Sequence, residues 1–231
     1  MNFHIVTLFP KAFSSYLGES ILKRAIEDKK IKVSFYNPRD FVDDKHKRID
    51  RPPYAGGPGM VIQALPVIYA IAQALKISKG KAKIIFLSPS GKQFDNLYAA
   101  KVAKKFKNII IVSGRYEGID ARVKKVFAME EVSVGPFVLT GGELPAMLII
   151  DVMSRQVSGV LGNLDSLEER RVSTSEVYTR PEVFEFPPPG RGKKGKKYRV
   201  PKVLLSGHQA KIEEWKRSKM TLSTGKKLDK K

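Results

Sequence analysis

Three strings in this 231-residue chain join glycine to small polar residues where a backbone could do chemistry: Ser88-Pro-Ser-Gly91, Ser113-Gly-Arg-Tyr-Glu-Gly118 and Gly135-Pro-Phe-Val-Leu-Thr-Gly-Gly142. Each follows an apolar run and precedes a helical pattern. Glycine has no Cβ, so the main chain can bring its N–H and C=O groups close to a ligand. Loops of this kind in an open α/β sheet lie beyond the carboxyl ends of the strands, where small molecules bind. One such glycine is compatible with a plain turn. Three loops in register point to one shared pocket. Generic nucleotide motifs are absent: there is no Walker loop and no Gly-x-Gly-x-x-Gly, which disfavours an ordinary ATPase or NAD enzyme. His4, His46 and His208 are scattered, and cysteine is missing. A histidine or thiolate metal centre is therefore not expected, and a Ser-His-Asp hydrolase has no nucleophile elbow to rest on.

The elements that must position these loops alternate between strand and helix over the first 155 residues. Phe3–Phe9 and Ile31–Tyr36 read as strands. Between them Phe13, Leu17, Ile21, Ala25 and Ile26 recur at helical spacing. Asn37–Gly59 reads as a long loop, and Leu65, Ile68, Ile71, Ala72 and Leu75 form the stripe of a second helix. Ala82–Leu87 is a nearly continuous apolar run of the kind buried on both faces of a parallel sheet, and Ile109–Val112 and Glu131–Val134 read as two further buried strands. A helix is expected after Gly91, to about Phe106, and the string Thr140–Pro145 leads into another that runs to about Arg155. The fold class is α/β with an open, mostly parallel sheet. A cofactor-binding domain over 1–156, a flexible linker over 157–178 and a small, mainly helical, basic domain over 179–231 complete the expected organisation. Phe186–Lys197 reads as an irregular Pro/Gly/Lys segment. Ser206 is a plausible N-cap for a helix over Gly207–Lys219, whose Ile212 and Trp215 could pack inward.

Charge is the strongest compositional signal: 43 Lys and Arg oppose 23 Asp and Glu, a net +20. Residues Arg191 to Lys231 hold 15 basic and 3 acidic side chains, which is +12 of that total. Such a field attracts polyanions, and nucleic acid is the expected partner because each neutralised phosphate releases counterions. A solubilising lysine tail is the alternative. No apolar run approaches the ~20 residues of a membrane span, and the N-terminus lacks the features of a secretory signal. A cytoplasmic protein without a membrane partner is expected.

Eight strings occur in one order: Pro38-Arg-Asp-Phe41, Tyr54-Ala-Gly-Gly-Pro-Gly-Met60, Leu87-Ser-Pro-Ser-Gly91, Ser113-Gly-Arg-Tyr-Glu-Gly-Ile-Asp120, Leu139-Thr-Gly-Gly-Glu-Leu-Pro-Ala146, Gly159-Val-Leu-Gly162, Tyr178-Thr-Arg-Pro-Glu182 and Val203-Leu-Leu-Ser-Gly-His208. Together they resemble the bacterial tRNA (guanine-N1)-methyltransferases of the knotted SPOUT class, over roughly residues 1 to 220. The resemblance implies a deep trefoil knot, an exception to the rule against threaded connections. It also implies a homodimer with each active site at the subunit interface, and S-adenosyl-L-methionine bound in the knot. By motif, Leu87, Ser88, Pro89, Gly91, Gly114, Tyr116, Glu117 and Gly118 should meet the cofactor. Val134, Gly135, Pro136, Phe137, Val138, Leu139, Gly141, Gly142 and Pro145 should complete its site. The family's usual Gly-Asp-Tyr is Gly135-Pro136-Phe137 here, so contacts through those two side chains differ.

Guanine N1 holds its proton at neutral pH and is a poor nucleophile until a base removes it. Negative charge then spreads onto O6. A carboxylate for the proton and a cation for O6 are the components required. The resemblance gives the cation role to Arg155. It places the family's aspartate on Arg170 in an ungapped count, so the base is expected among Glu169, Asp165 and Glu168, with Glu169 foremost. Those carboxylates could equally form a solvated charge run. The resemblance further implies a magnesium requirement, although nothing in the sequence supplies a metal cage. Lys193, Lys194, Lys196 and Lys197 are expected to hold tRNA phosphates, and Tyr178 and His208 either stack on bases or pack internally. Two rivals stay open. One is a cofactor- and RNA-binding homologue that has lost the base. The other is a knotted enzyme acting on a ribose 2′-hydroxyl.

Overall fold

A computed structural model describes residues 1–54, 56–162, 176–186 and 195–219. Asp165, Glu168, Glu169, Lys193 and Lys194 lie outside those residues. The chain divides into two compact units, Met1–Leu164 and Asp165–Lys231.

The first unit runs β1 (Asn2–Val6), α1 (Ser14–Leu17), α2 (Ser20–Glu27), β2 (Lys32–Tyr36), β3 (Asp50–Arg51), β4 (Val61–Ile62), α3 (Ala64–Ile77), β5 (Lys83–Gln93), α4 (Asn96–Lys105), β6 (Asn108–Val112), α5 (Val123–Val126), β7 (Glu130–Ser133) and α6 (Glu143–Ser154). Five strands form one sheet in the order β2-β1-β6-β5-β7, and every pairing is parallel. Side chains alternate along each strand, so the sheet has two faces to cover. Phe3, Ile5, Ile85, Ile109, Ile111 and Val132 meet α1, α2, α4 and α6 through Leu17, Leu22, Val102 and Ile149. Val6, Ile84, Phe86, Ile110 and Val112 meet α3 through Val67, Ala70, Ile71 and Ala74. This double burial explains the nearly unbroken apolar runs of β5 and β6.

Three expectations need adjusting. The helix predicted from Phe13 to Ile26 is two pieces, because α1 stops at Gly18 and Glu19 is extended before α2 begins; a glycine inside a helix costs roughly 1 kcal/mol relative to alanine. The buried face of α3 is Ala64, Pro66, Val67, Ala70, Ile71 and Ala74, whereas Leu65 and Ala72 of the predicted stripe point outward. Small residues let the helix close on the sheet at interior packing density, so size here overrides hydrophobicity. At the far end, Val157 and Val160 of the expected linker pack against the core.

β5 is longer than the predicted strand because it resumes after an excursion. Leu87 and Lys92 both pair with Val132 of β7, so residues 88–91 leave the ladder and return. Gly91 closes the excursion directly over β7: a Cβ there would stand 2.5 Å from Val132 N. Asp95 then caps α4 by accepting the Tyr98 N–H at 2.7 Å, which starts that helix later than Gly91.

The second unit holds an antiparallel ribbon of β8 (Val183–Phe186) and β9 (Lys196–Arg199), then α7 (Lys202–Leu205) and α8 (Gln209–Ser218). The ribbon replaces the irregular chain expected at Phe186 and Lys196–Lys197, because Val183, Phe184, Phe186 and Tyr198 are strand formers in cross-strand register. Ser206 is not the N-cap of α8. That position is His208, and Ser206 Oγ, two residues earlier, accepts the His208 N–H at 3.2 Å. Tyr178 packs on Trp215 with ring centroids 6.1 Å apart and donates its hydroxyl to Glu176. The Tyr178 ring thus has a packing contact on Trp215 while remaining 45% exposed, and Ile212 and Trp215 are half-buried.

Candidate functional site

Adjacent strands β5, β6 and β7 end on one edge of the sheet, and the chain leaving each supplies one wall of a cavity of about 290 Å³. The excursion of β5 gives Leu87, Ser88 and Pro89. The loop after β6 gives Gly114 to Gly118. The segment from Val132 to Gly142, with Pro145 from α6, forms the remainder. Of the residues expected there from sequence, only Gly91 and Pro136 fall outside the lining. Gly91 is spent on the contact with β7 described above. At the positions that depart from the family's pattern, Phe137 lines the cavity and Pro136 does not.

Close main-chain contacts hold the walls together. Gly142 N–H donates to Gly114 O at 2.9 Å, and Ser113 Oγ donates to Gly142 O at 3.2 Å. A Cβ on Gly142 would lie 2.7 Å from Ser113 Cα, so only glycine admits this approach. Tyr116 takes a left-handed backbone at φ 60°, which turns the loop after β6. The Glu117 N–H reaches Met60 O at 3.0 Å, and Ile62 N–H reaches Gly118 O at 3.0 Å, tying that loop to β4.

Sequence reasoning missed an ion pair beneath this floor. Arg115 Nε donates to Glu143 Oε2 at 2.8 Å, and Thr7 Oγ1 donates to Glu143 Oε1 at 2.8 Å. The Glu143 side chain is 4% exposed, so its charge depends on those two donors. Arg115 also donates from Nη1 to Thr140 O at 3.3 Å and lies over the Phe9 ring, 4.8 Å from its centroid. One guanidinium thus joins the loop after β6, the segment before α6 and the turn after β1. A lone carboxylate opening an otherwise apolar helix, Glu143-Leu-Pro-Ala-Met-Leu-Ile-Ile150, was the available signal; a helix N-terminus favours such a charge.

Arg155 caps the opposite end of α6, half-buried, with its N–H on Asp151 O at 3.1 Å. Thirteen residue steps at ~1.5 Å each put it roughly 20 Å along the axis from Gly142, beyond the reach of a side chain back to the cavity of its own chain. Tyr16 donates its hydroxyl to Asp151 beside it, and that bond raises the Tyr16 pKa. Lys196, Lys197 and His208 are exposed in the second unit. Among the described residues, no three His, Asp or Glu side chains are placed to hold a metal ion, and no helix is long and apolar enough to cross a membrane.

Comparison with known proteins agrees with this geometry. The family model of tRNA (Guanine-1)-methyltransferase TrmD matches residues 1–229. A tRNA (guanine-N(1)-)-methyltransferase of Caldanaerobacter subterraneus subsp. tengcongensis is 46% identical over 223 residues, covering 95% of this chain and 86% of the relative. One from Clostridioides difficile is 41% identical over 222 residues, covering 94% and 91%. A crystal structure of tRNA (m1G37) methyltransferase from Aquifex aeolicus matches with a TM-score of 0.71 at 36% identity, over 94% of this chain and 87% of that one. By motif, by fold and by sequence over nearly its full length, the chain belongs to the tRNA (guanine-1)-methyltransferase family.

Proposed function

We propose that this chain methylates N1 of the guanosine immediately 3′ of the anticodon in tRNA, as a cytoplasmic homodimer using S-adenosyl-L-methionine. The observation that carries the reading is the single cavity at the ends of β5, β6 and β7, walled by residues of the three glycine-containing strings. Its volume lies near the lower end of small-molecule clefts, roughly 300–1,000 Å³. Leu87, Val134, Phe137, Leu139 and Pro145 offer apolar walls for a purine, and the glycine-rich main chain offers N–H and C=O groups for its edge and for a ribose. The Glu117 carboxylate stands in the same wall and complements a cationic ligand. When bound, S-adenosyl-L-methionine supplies a methyl group on a positively charged sulfur.

The chain's own residues prepare the acceptor. A carboxylate takes the proton from guanine N1, and the Arg155 guanidinium stabilises the charge that spreads to O6. The length of α6 supports a site built from two subunits: Arg155 serves the cavity of the partner. Exposed apolar residues in and beside the cavity, Phe137, Val138 and Leu144, support the same assembly, since Val138 is 82% exposed in the single chain.

Glu169 is the proposed base, with Asp165 and Glu168 its neighbours in sequence. Methyl transfer by Glu169→Ala, Asp165→Ala and Glu168→Ala, measured singly at saturating tRNA and cofactor, identifies it. Glu169→Ala is expected to lower kcat by about 100-fold or more, in the range general-base removal produces. The other two are expected to stay within about threefold of wild type, as carboxylates that take no part in the proton transfer. Full activity in all three variants places the base elsewhere.

A further inference from the structure

Phe184, Phe186 and Tyr198 have no task in the site described above, yet they share one face of the β8–β9 ribbon. Phe184 is directly opposite Tyr198, and Phe186 is directly opposite Lys196. Because strand side chains alternate, these four residues project from one side, while Val183, Glu185, Lys197 and Arg199 project from the other. The aromatic side is the more open one: Phe184, Phe186 and Tyr198 are 56%, 64% and 42% exposed. On the reverse side, Val183 and Glu185 are half-buried. Scattered exposed apolar residues are ordinary. Three aromatics on one face of a two-stranded ribbon are a patch, and a ribbon of this size gains little stability of its own from leaving them wet.

The patch has a definite geometry. The Phe184 and Tyr198 rings lie nearly parallel, with centroids 5.3 Å apart and 17° between planes. Lys196 Nζ stands 5.5 Å from the Tyr198 ring centroid. Lys197 is directly opposite Glu185 on the reverse side, which leaves the Lys196 charge beside the rings without an acid on that face. Lys202 follows the ribbon, and Lys197 and Arg199 add charge from the reverse side, within a segment carrying +12. Flat π-faces bordered by cations fit a partner with stacking rings and regularly spaced negative charge.

We propose that this face is a stacking platform for unpaired nucleotides of the tRNA, with bases on Phe184, Tyr198 and Phe186 and phosphates held by Lys196 and its basic neighbours. Paired bases are already stacked on both sides, so only unpaired ones can occupy such rings. The inference rests on the tRNA-methylating reading and deepens it, adding base contact to a segment that charge alone assigns to phosphates.

The test uses the full chain, a tRNA, a single-stranded oligoribonucleotide and an RNA duplex of equal length, with affinity measured across a salt series. Phe184→Ala and Tyr198→Ala are each expected to weaken tRNA and single-strand binding roughly tenfold, the typical loss for one stacked base, without changing the salt slope. Lys196→Ala should lower that slope by about one unit for the lost phosphate contact. Phe184→Leu keeps an apolar side chain and should lose as much affinity as alanine. Phe184→Trp should retain binding, and its fluorescence should be quenched by the single strand and not by the duplex. That last measurement stands even where an alanine variant fails to fold. Wild-type affinity in Phe184→Leu would mark the face as an apolar protein contact and overturn the proposal, as would equal quenching by duplex. Methyl transfer to tRNA by the wild-type chain is scored separately. Its absence removes the enzyme reading, whereas its presence with unaltered binding in the ring variants removes only the platform.

Discussion

Arg155→Ala is expected to lower kcat for methyl transfer by about 100- to 1,000-fold, the loss seen when one preorganised donor to a developing oxyanion is removed. Cofactor affinity should change far less than kcat, because the role proposed for Arg155 is at guanine O6 and the cavity walls are built from other residues. Lysine at this position keeps charge without the planar fork of donors and should recover only part of the rate. A shared site adds a second result. In Gly142→Ala, a Cβ would lie 2.7 Å from Ser113 Cα and disrupt the cavity. Arg155→Ala and Gly142→Ala homodimers are then both inactive, but subunit exchange between them assembles one intact site in each mixed dimer. Random pairing restores about one quarter of wild-type activity. No recovery in a demonstrably exchanged mixture would mean that cavity and arginine belong to the same chain.

Glu143→Ala is expected to destabilise the first unit by about 3–5 kcal/mol, the cost of breaking a buried pair and leaving one charge without its partner. Arg115 loses the acceptor of its 2.8 Å bond, and Thr7 Oγ1 loses its own. For a chain of this size, each kcal/mol lowers Tm by roughly 2–4 °C, so thermal unfolding separates the variant clearly. Glu143→Gln keeps the shape and an acceptor oxygen and should lose less. Both variants should weaken binding of S-adenosylhomocysteine, because Arg115 ties the Thr140 carbonyl to the loop after β6. Stability within about 1 kcal/mol of wild type in Glu143→Ala would show the pair to be incidental, as exposed pairs usually are.

The two kinds of residue in these predictions were not equally legible in the sequence. Strand runs such as Ile109–Val112 are apolar on both faces, so the parallel sheet and its covered faces follow from composition within the run. The glycine-containing loops were legible because glycine at a strand end admits few roles. Arg155 depended on the resemblance, since a cation closing a helix has an adequate explanation in the helix dipole. The Arg115–Glu143 pair was hidden because its partners are 28 residues apart, one in the loop after β6 and the other at the start of α6, and each string alone looks like one more wall of the pocket. The orientation of α3 was misjudged because Leu65 outweighs Ala70 in hydrophobicity, whereas the sheet selects for size. The ribbon was obscured by the Pro, Gly and Lys residues between its strands, although Phe184 and Tyr198 carry the strand signal themselves.

Incubating the chain with tRNA and S-adenosyl-L-methionine bearing a labelled methyl group, then digesting the RNA to nucleosides, measures the proposed chemistry at the reacting atom. The label should be recovered as 1-methylguanosine, and it should vanish when the guanosine 3′ of the anticodon is replaced by adenosine. Label on a ribose 2′-oxygen, or no label from a folded sample that binds the tRNA, would contradict the assignment.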